Sequence, residues 1–157
     1  MKIKNFIYLV CCLFFVLAVT GGISFAAETD PETPTVLKGG KIISADEAKS
    51  LVDKKEAVLF DFRSAINFGK GHIPKAVILP YKGKSPNTPD VTPAQDEFDA
   101  AKLPSDKNAN IVFYSDGPKG WKSYKAALIA IKIGYKNVMW FRGGFNEWTE
   151  KGYPIEQ

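Results

Sequence analysis

The chain has 157 residues, with 21 lysines and arginines against 17 acidic residues and a formal net charge of +4. This length predicts one domain, and so small a charge excess argues against the strongly basic surface of a nucleic-acid-binding protein. One histidine and two cysteines also exclude the ligand clusters typical of zinc proteins.

Residues 1–26 have the pattern of a signal peptide. Lys2 and Lys4 precede an unbroken apolar run at 6–19, and Ser24-Phe25-Ala26 places small residues at a cleavage site. We therefore expect an exported protein, periplasmic in a bacterium, that begins near Ala27 and has no permanent membrane span. A retained anchor is the alternative, although the apolar run of 14 residues is shorter than the roughly 20 residues of a spanning helix.

Both cysteines, Cys11 and Cys12, lie inside this predicted signal. A lipoprotein signal at 9–12 is a weaker alternative, because Cys11 stands where such signals need a small residue. After cleavage the chain would have no disulfide, no thiol nucleophile and no cysteine ligand for a metal. Its charge would be +2, from 19 basic and 17 acidic side chains, and about 131 residues can bury a core without disulfides. The sequence implies no cofactor and no metal.

A leader and alternating helices and strands are predicted next. Residues 27–40 are polar, with prolines and a double glycine, and predict a flexible leader. Ser44 and Glu47 form a capping box that opens a helix ending near Asp53. Apolar runs predict buried strands at 57–62, 76–79, 111–114 and 137–141. Further helices are predicted at 64–68, 121–133 and 145–148. This alternation implies a parallel sheet covered on both faces.

The segment 81–110 is a long, proline-rich excursion between the second and third of these strands. Its one predicted helix spans 93–101, with Pro93 in the first turn. Loops of this length tend to be functional or mobile.

The segment 111–127 combines a buried strand, a glycine-bearing loop and the start of a helix. Backbone N–H groups at such a helix N-terminus form a cradle for an anion. The loop begins at Ser115 and contains Gly117, Pro118 and Gly120.

Four motifs in register resemble rhodanese-like domains over about residues 41–156. They are Asp61-Phe-Arg63, Gly71-His-Ile-Pro74, the strand–loop–helix at 111–127, and Gly143-Gly-Phe-x-x-Trp148 with Gly152-Tyr-Pro154. The resemblance implies a single α/β domain at 41–157, with a five-stranded parallel sheet and helices on both faces. It also implies an active loop beyond the carboxyl end of a central strand, where open α/β sheets place ligands.

The loop departs from the family at the position that carries the chemistry. In active members that resemble this chain, the first loop residue is a cysteine that accepts a sulfane sulfur and passes it on. An exported subgroup has a longer Cys-x-Gly-Pro-x-Cys-Trp loop, and here Ser115 and Gly120 occupy both of its cysteine positions. The resemblance therefore implies a cradle whose thiol chemistry has been abandoned.

The predicted anion-binding loop contains seven candidate residues. They are Ser115, Asp116, Gly117, Lys119, Gly120, Trp121 and Lys122. A serine nucleophile would need an adjacent base, and the alternative is a hydroxyl that is hydrogen-bonded within the loop, so we predict no catalytic residue. Asp116 would repel an anion or take up the N–H groups itself, unless it points outward or caps the next turn. Lys119 and Lys122 bring the local charge to +1.

Other motif residues are expected to support this loop. Asp61 and Arg63 would form an ion pair beside it, as the resemblance implies. His72 is expected to be a hydrogen-bonded structural residue, because no second histidine is available to complete a metal site. Gly143-Gly144 would permit a tight strand–helix turn. Trp121 has two open interpretations, the mouth of a pocket or the first buried residue of its helix.

The function expected from these features is a non-catalytic binding module. Its ligand would be a small oxyanion (thiosulfate, sulfate or phosphate) or a partner protein, such as a periplasmic redox or oxidase protein. The rival hypothesis is a sulfurtransferase, as in the parent family, and a third is an assembly domain in an exported redox system.

Overall fold

The computed structural model describes residues 31–90 and 95–157. The strands are β1 Lys41–Ile42, β2 Val58–Asp61, β3 Val77–Ile78, β4 Tyr81–Gly83, β5 Asp96–Phe98, β6 Asn110–Tyr114 and β7 Asn137–Phe141. The helices are α1 Ala45–Lys54, α2 Ala65–Lys70, α3 Trp121–Lys132 and α4 Gly144–Glu150, with a 3-10 helix at Ala100–Lys102. The predicted signal peptide lies outside the described residues.

Five strands form a parallel sheet in the order β1-β7-β6-β2-β3, which confirms the predicted architecture. Alternate residues of the central strand β6 enter two different cores, with Phe113 on the α3 side and Tyr114 on the side of α1 and α4. Because both faces are covered, the strands are continuously apolar rather than alternating. None of the helices in the described part of the chain is long and apolar enough to cross a membrane.

Local signals placed the first helices correctly. Ser44 Oγ accepts the N–H of Glu47 at 3.3 Å, and Glu47 Oε2 accepts the N–H of Ser44 at 2.9 Å, which completes the predicted capping box. Ser64 Oγ accepts the N–H of Asn67 at 3.2 Å and so caps α2. Both helices end within two residues of the predicted ends.

The helix predicted at 93–101 is wrong for the residues that the structure describes. Residues 96–98 form β5, which pairs antiparallel with β4. Asp96 is drawn inward, because its Oδ1 accepts the N–H groups of Lys84 at 2.7 Å and Ser85 at 2.9 Å. Phe98 packs edge-on against Phe62, with 5.8 Å between ring centroids. These tertiary contacts override the local helix signal.

The described part of the predicted leader, residues 31–40, contains no helix or strand but lies against the domain. Leu37 is 4% exposed and belongs to the core on the α3 side. Thr33 is 2% exposed. This stretch is therefore packed onto the domain, and the boundary at residue 41 stays a prediction.

Candidate functional site

The loop 115–120 joins the carboxyl end of β6 to the start of α3 through a tight turn. The N–H of Gly120 donates to Gly117 O at 2.7 Å, and that of Trp121 donates to Lys119 O at 3.0 Å. Gly120 is the N-cap and supplies no side-chain cap. Within the described residues, the N–H groups of Lys122 and Ser123 have no hydrogen-bond partner. Free donors at a helix N-terminus are the donors that an anion site requires.

Ser115 and Gly120 are in close contact across this turn. A Cβ atom at Gly120 would lie 2.5 Å from Ser115 Cβ and 2.8 Å from Gly117 O. Ser115 is 5% exposed. Its hydroxyl makes no hydrogen bond to any residue that the structure describes, which is a difference from the expected bond within the loop. No base therefore activates this serine in the described part of the chain.

His72 is engaged away from Ser115. Its ring stacks on Phe68, with 3.8 Å between centroids. Its Nδ1 lies 3.1 Å from the Phe68 carbonyl oxygen, which can only accept, so this nitrogen carries the proton. Its Nε2 lies 3.9 Å from the Glu156 carboxylate. Among the residues described, no group of three histidine, cysteine or acidic side chains could hold a metal ion.

Asp116 uses its backbone rather than its side chain within the loop. Its carbonyl oxygen accepts the N–H of Asn146 at 2.9 Å, just as Ser115 O accepts the N–H of Phe145 at 2.9 Å. Both donors belong to the first turn of α4, which therefore holds the loop from one side. The Asp116 residue is exposed, and its carboxylate takes up no loop N–H group within the described chain.

A cleft of about 370 Å³ opens beside the loop, at the small end of the roughly 300–1,000 Å³ range of ligand pockets. Its lining includes six of the seven predicted loop residues, which are Ser115, Asp116, Lys119, Gly120, Trp121 and Lys122. Asn67 of α2 and Asn87 of the excursion also line it. The two asparagines were not among the predicted site residues, because nothing in their local sequence distinguishes them from surface amides.

Arg63 is the buried cation of this cleft. Its side chain is 3% exposed, and its Nη2 donates to Asp61 Oδ2 at 2.7 Å and to Gly71 O at 2.6 Å. Its guanidinium also lies 3.8 Å from the centroid of the Phe145 ring. Arg63 lines the cleft, and its Nη1 has no hydrogen-bond partner among the described residues. Arg63 therefore combines the predicted ion pair with a free, charged donor.

Two aromatic residues flank the 115–120 loop: Tyr114 is the last residue of β6, and Trp121 is the first residue of α3. Burial raises the pKa of the Tyr114 phenol, and the neighbouring Asp61 carboxylate raises it further, so Tyr114 stays neutral. Trp121 is 6% exposed, lines the cleft and packs edge-on against Tyr124 at 5.7 Å. Both interpretations of Trp121 describe its position, because it is a cleft wall and also the first buried residue of α3.

Comparisons with known proteins agree with this fold. Among curated relatives, a tRNA uridine(34) hydroxylase from Photorhabdus laumondii is 28% identical over 130 residues, or 80% of this chain and 34% of that protein. The chain thus spans about a third of the length of this relative. The structure of thiosulfate sulfurtransferase from Pseudomonas aeruginosa has 21% identity and a TM-score of 0.56, covering 76% of this chain and 21% of that one.

A second solved structure matches this chain over nearly all of its own length. It is a protein of unknown function from Rhodopseudomonas palustris, described as a possible tyrosine phosphatase, with 24% identity and a TM-score of 0.53. The match covers 80% of this chain and 98% of that one. These two structural likenesses show the fold. The sequence profile of the rhodanese-like domain matches residues 44–151, more than half of the chain and four of its five parallel strands. The chain therefore belongs to the rhodanese-like domain family.

Proposed function

We propose that this protein binds a small oxyanion (thiosulfate, sulfate or phosphate) in the cleft beside the 115–122 loop, without transferring sulfur. The observation that carries the proposal is that Arg63 and Lys122 line the same cleft. Among the described residues, neither the Nη1 of the buried Arg63 nor the backbone N–H of Lys122 has a hydrogen-bond partner. A buried charged donor and a helix N-terminus both favour an anion. Lys119 and Lys122 add two positive charges to the lining of the cleft, and Asp116 adds one negative charge, so these three side chains contribute a net charge of +1.

The chain's own residues argue against sulfur transfer. The persulfide chemistry implied by the family needs a thiol, and both cysteines of the chain are Cys11 and Cys12, outside the described residues. A serine oxygen at position 115 cannot hold a transferable sulfur as a persulfide. We therefore propose that the protein acts by binding, and that it does so as an exported protein.

Isothermal titration calorimetry of the protein with sodium thiosulfate, sulfate and phosphate at low ionic strength tests the proposal. We expect one site that saturates at millimolar concentrations or below. Lys119→Gln/Lys122→Gln should weaken binding several-fold, because two charges leave the cleft. Lys102→Gln/Lys132→Gln is the matched control, since both lysines are exposed and lie away from the cleft. If none of the three anions binds at millimolar concentrations, the oxyanion proposal is wrong.

The rival sulfurtransferase hypothesis has its own assay. Thiosulfate:cyanide sulfur transfer by the protein, abolished by Ser115→Ala, would contradict a purely binding role. Ser115→Cys is the informative companion, because it places a thiol at the family's nucleophile position in an otherwise unchanged loop. We expect no turnover in the unmodified chain and a sulfur-loaded thiol in Ser115→Cys.

A partner-protein surface is the second candidate function. Ile66 on α2 is 71% exposed, next to Asn67 of the cleft wall. The partner would be another protein, such as a periplasmic redox or oxidase protein, that contacts this side chain beside the cleft. Pull-down from a periplasmic extract with the unmodified protein and with Ile66→Ser tests this, and equal recovery of every partner by both would contradict it.

A further inference from the structure

The leader segment 31–34 lies against the 115–122 loop and is bound largely through its backbone. Trp121 Nε1 donates to the Pro31 carbonyl oxygen at 2.7 Å. Thr33 donates twice to the Pro118 carbonyl oxygen, from its N–H at 2.8 Å and from its hydroxyl at 2.6 Å. The loop is therefore held by α4 on one side and by the leader on another.

Arg142, the residue after β7, completes this set of contacts. Its Nη2 donates to Thr33 O at 2.9 Å, and its Nε donates to Pro34 O at 3.2 Å. The same Nη2 lies 2.8 Å from the Glu32 carboxylate, in an ion pair whose arginine side chain is 19% exposed. One guanidinium thus contacts two successive carbonyl groups and an acidic side chain.

Pro118, Trp121 and Arg142 together form what we call the leader-binding surface. It offers an indole N–H and a guanidinium to backbone carbonyls, and one carbonyl to a backbone N–H. Prolines have no N–H, so their carbonyls are the polar backbone groups that a partner surface must satisfy. Aromatic and arginine side chains are the usual means by which proteins bind proline-containing and acidic segments.

We propose that the leader-binding surface is a recognition site for a short, acidic, proline-containing peptide, and that the chain's own residues 31–34 occupy it in cis. Glu32 also lines a second cleft with Pro118 and Asn146, which places the leader beside this side of the loop. A partner peptide of the same chemistry would bind by displacing the leader. This inference does not depend on oxyanion binding, because the contacts form without a ligand.

Tryptophan quenching in the full chain measures whether the leader is bound. The three tryptophans are Trp121, Trp140 and Trp148, and the last two are fully buried. Glu32→Lys/Thr33→Pro reverses the ion pair and removes both donors to Pro118. We expect acrylamide, a neutral quencher, to reach Trp121 several-fold more readily in this variant. Thr35→Pro is the matched control, since Thr35 is exposed and two residues farther along the same segment.

Rescue in trans then separates recognition from a merely structural role. A synthetic peptide with the sequence of residues 31–36 is added at millimolar concentrations, because a tethered segment has an effective concentration of that order. It should restore protection of Trp121 in Glu32→Lys/Thr33→Pro, and it should fail when Arg142→Gln is added. Unchanged quenching in the leader variant, or no protection by the peptide, overturns the proposal. Should the double variant fold poorly by circular dichroism, Thr33→Val with the same two measurements replaces it.

Discussion

A Cβ atom at Gly144 would lie 2.3 Å from the backbone oxygen of Ser115, so the start of α4 and the site loop touch through their backbones. Gly144 also has φ of +61°, in the left-handed region that favours glycine. The contact brings the N–H of Phe145 to Ser115 O. The Gly143-Gly144 motif is thus part of the support of the loop, in addition to forming a turn.

Gly144→Ala should therefore destabilise the protein by about 2–5 kcal/mol. Left-handed backbone costs a non-glycine residue roughly 1–2 kcal/mol, and a forced core contact costs roughly 1–3 kcal/mol more. Gly152→Ala is the matched control, because Gly152 has φ of +70° but no atom near the added methyl group. It should lower the free energy of unfolding only by the contribution of the left-handed backbone. Urea denaturation gives both values, and equal losses would contradict a role for the Ser115 contact.

Replacing only Arg63 of the Asp61–Arg63 ion pair should lower the free energy of unfolding more than replacing both residues. Arg63→Met leaves the fully buried Asp61 carboxylate uncompensated, which costs roughly 3–5 kcal/mol. Asp61→Asn/Arg63→Met should recover part of this loss. Lys49→Met, which breaks the more exposed Lys49–Asp53 pair, should change the free energy of unfolding by no more than about 0.5 kcal/mol. A double variant less stable than Arg63→Met would contradict this account.

Asp96 should make stability fall on acidification. Burial raises the pKa of its carboxyl, but hydrogen bonds from the Ser85 hydroxyl and from the N–H groups of Ser85 and Lys84 outweigh it and hold the pKa below the ordinary 3.8. The ionised group therefore stabilises the fold above its unfolded pKa, and this stabilisation is lost as the pH falls through the folded pKa.

The measurement is the free energy of unfolding against pH for the unmodified protein and Asp96→Asn. The advantage of the unmodified protein should stay constant from about pH 7 to pH 5 and shrink below about pH 4. Glu97→Gln, at an exposed carboxyl on the same strand (73% exposed), should not reproduce this difference. A gap between the two proteins that persists through the acid range would show that the Asp96 charge is not the cause.

The two loop positions Ser115 and Gly120 should respond differently to replacement. Ser115→Cys adds no heavy atom and should fold like the unmodified protein. Gly120→Ala should cost about 1–3 kcal/mol, because its methyl group would meet Ser115 Cβ at 2.5 Å and Gly117 O at 2.8 Å. Adding Ser115→Gly should relieve the first of these contacts and recover part of the loss. Thermal unfolding compares the three variants, and a neutral Gly120→Ala would contradict the tight turn.

The elements predicted correctly depend on short stretches of chain. The capping box at Ser44 acts over three residues, and the run 57–62 is apolar because both faces of its strand are covered. The parallel sheet followed from the alternation of such elements together with the family resemblance. These features could be predicted because a strand's apolar character and a helix cap are visible in a few consecutive residues.

By itself, the sequence determined the family and the alternation of strands and helices along the chain. It also showed that residues 31–157 contain no cysteine. Only the tertiary structure showed that Asp96 belongs to a strand, that Asn87 and Lys122 line the same cleft and that Thr33 is bound to Pro118. The physical reason is separation along the chain. Thr33 and Pro118 are 85 residues apart, and their hydrogen bond exists only because packing of the sheet and helices brings them together.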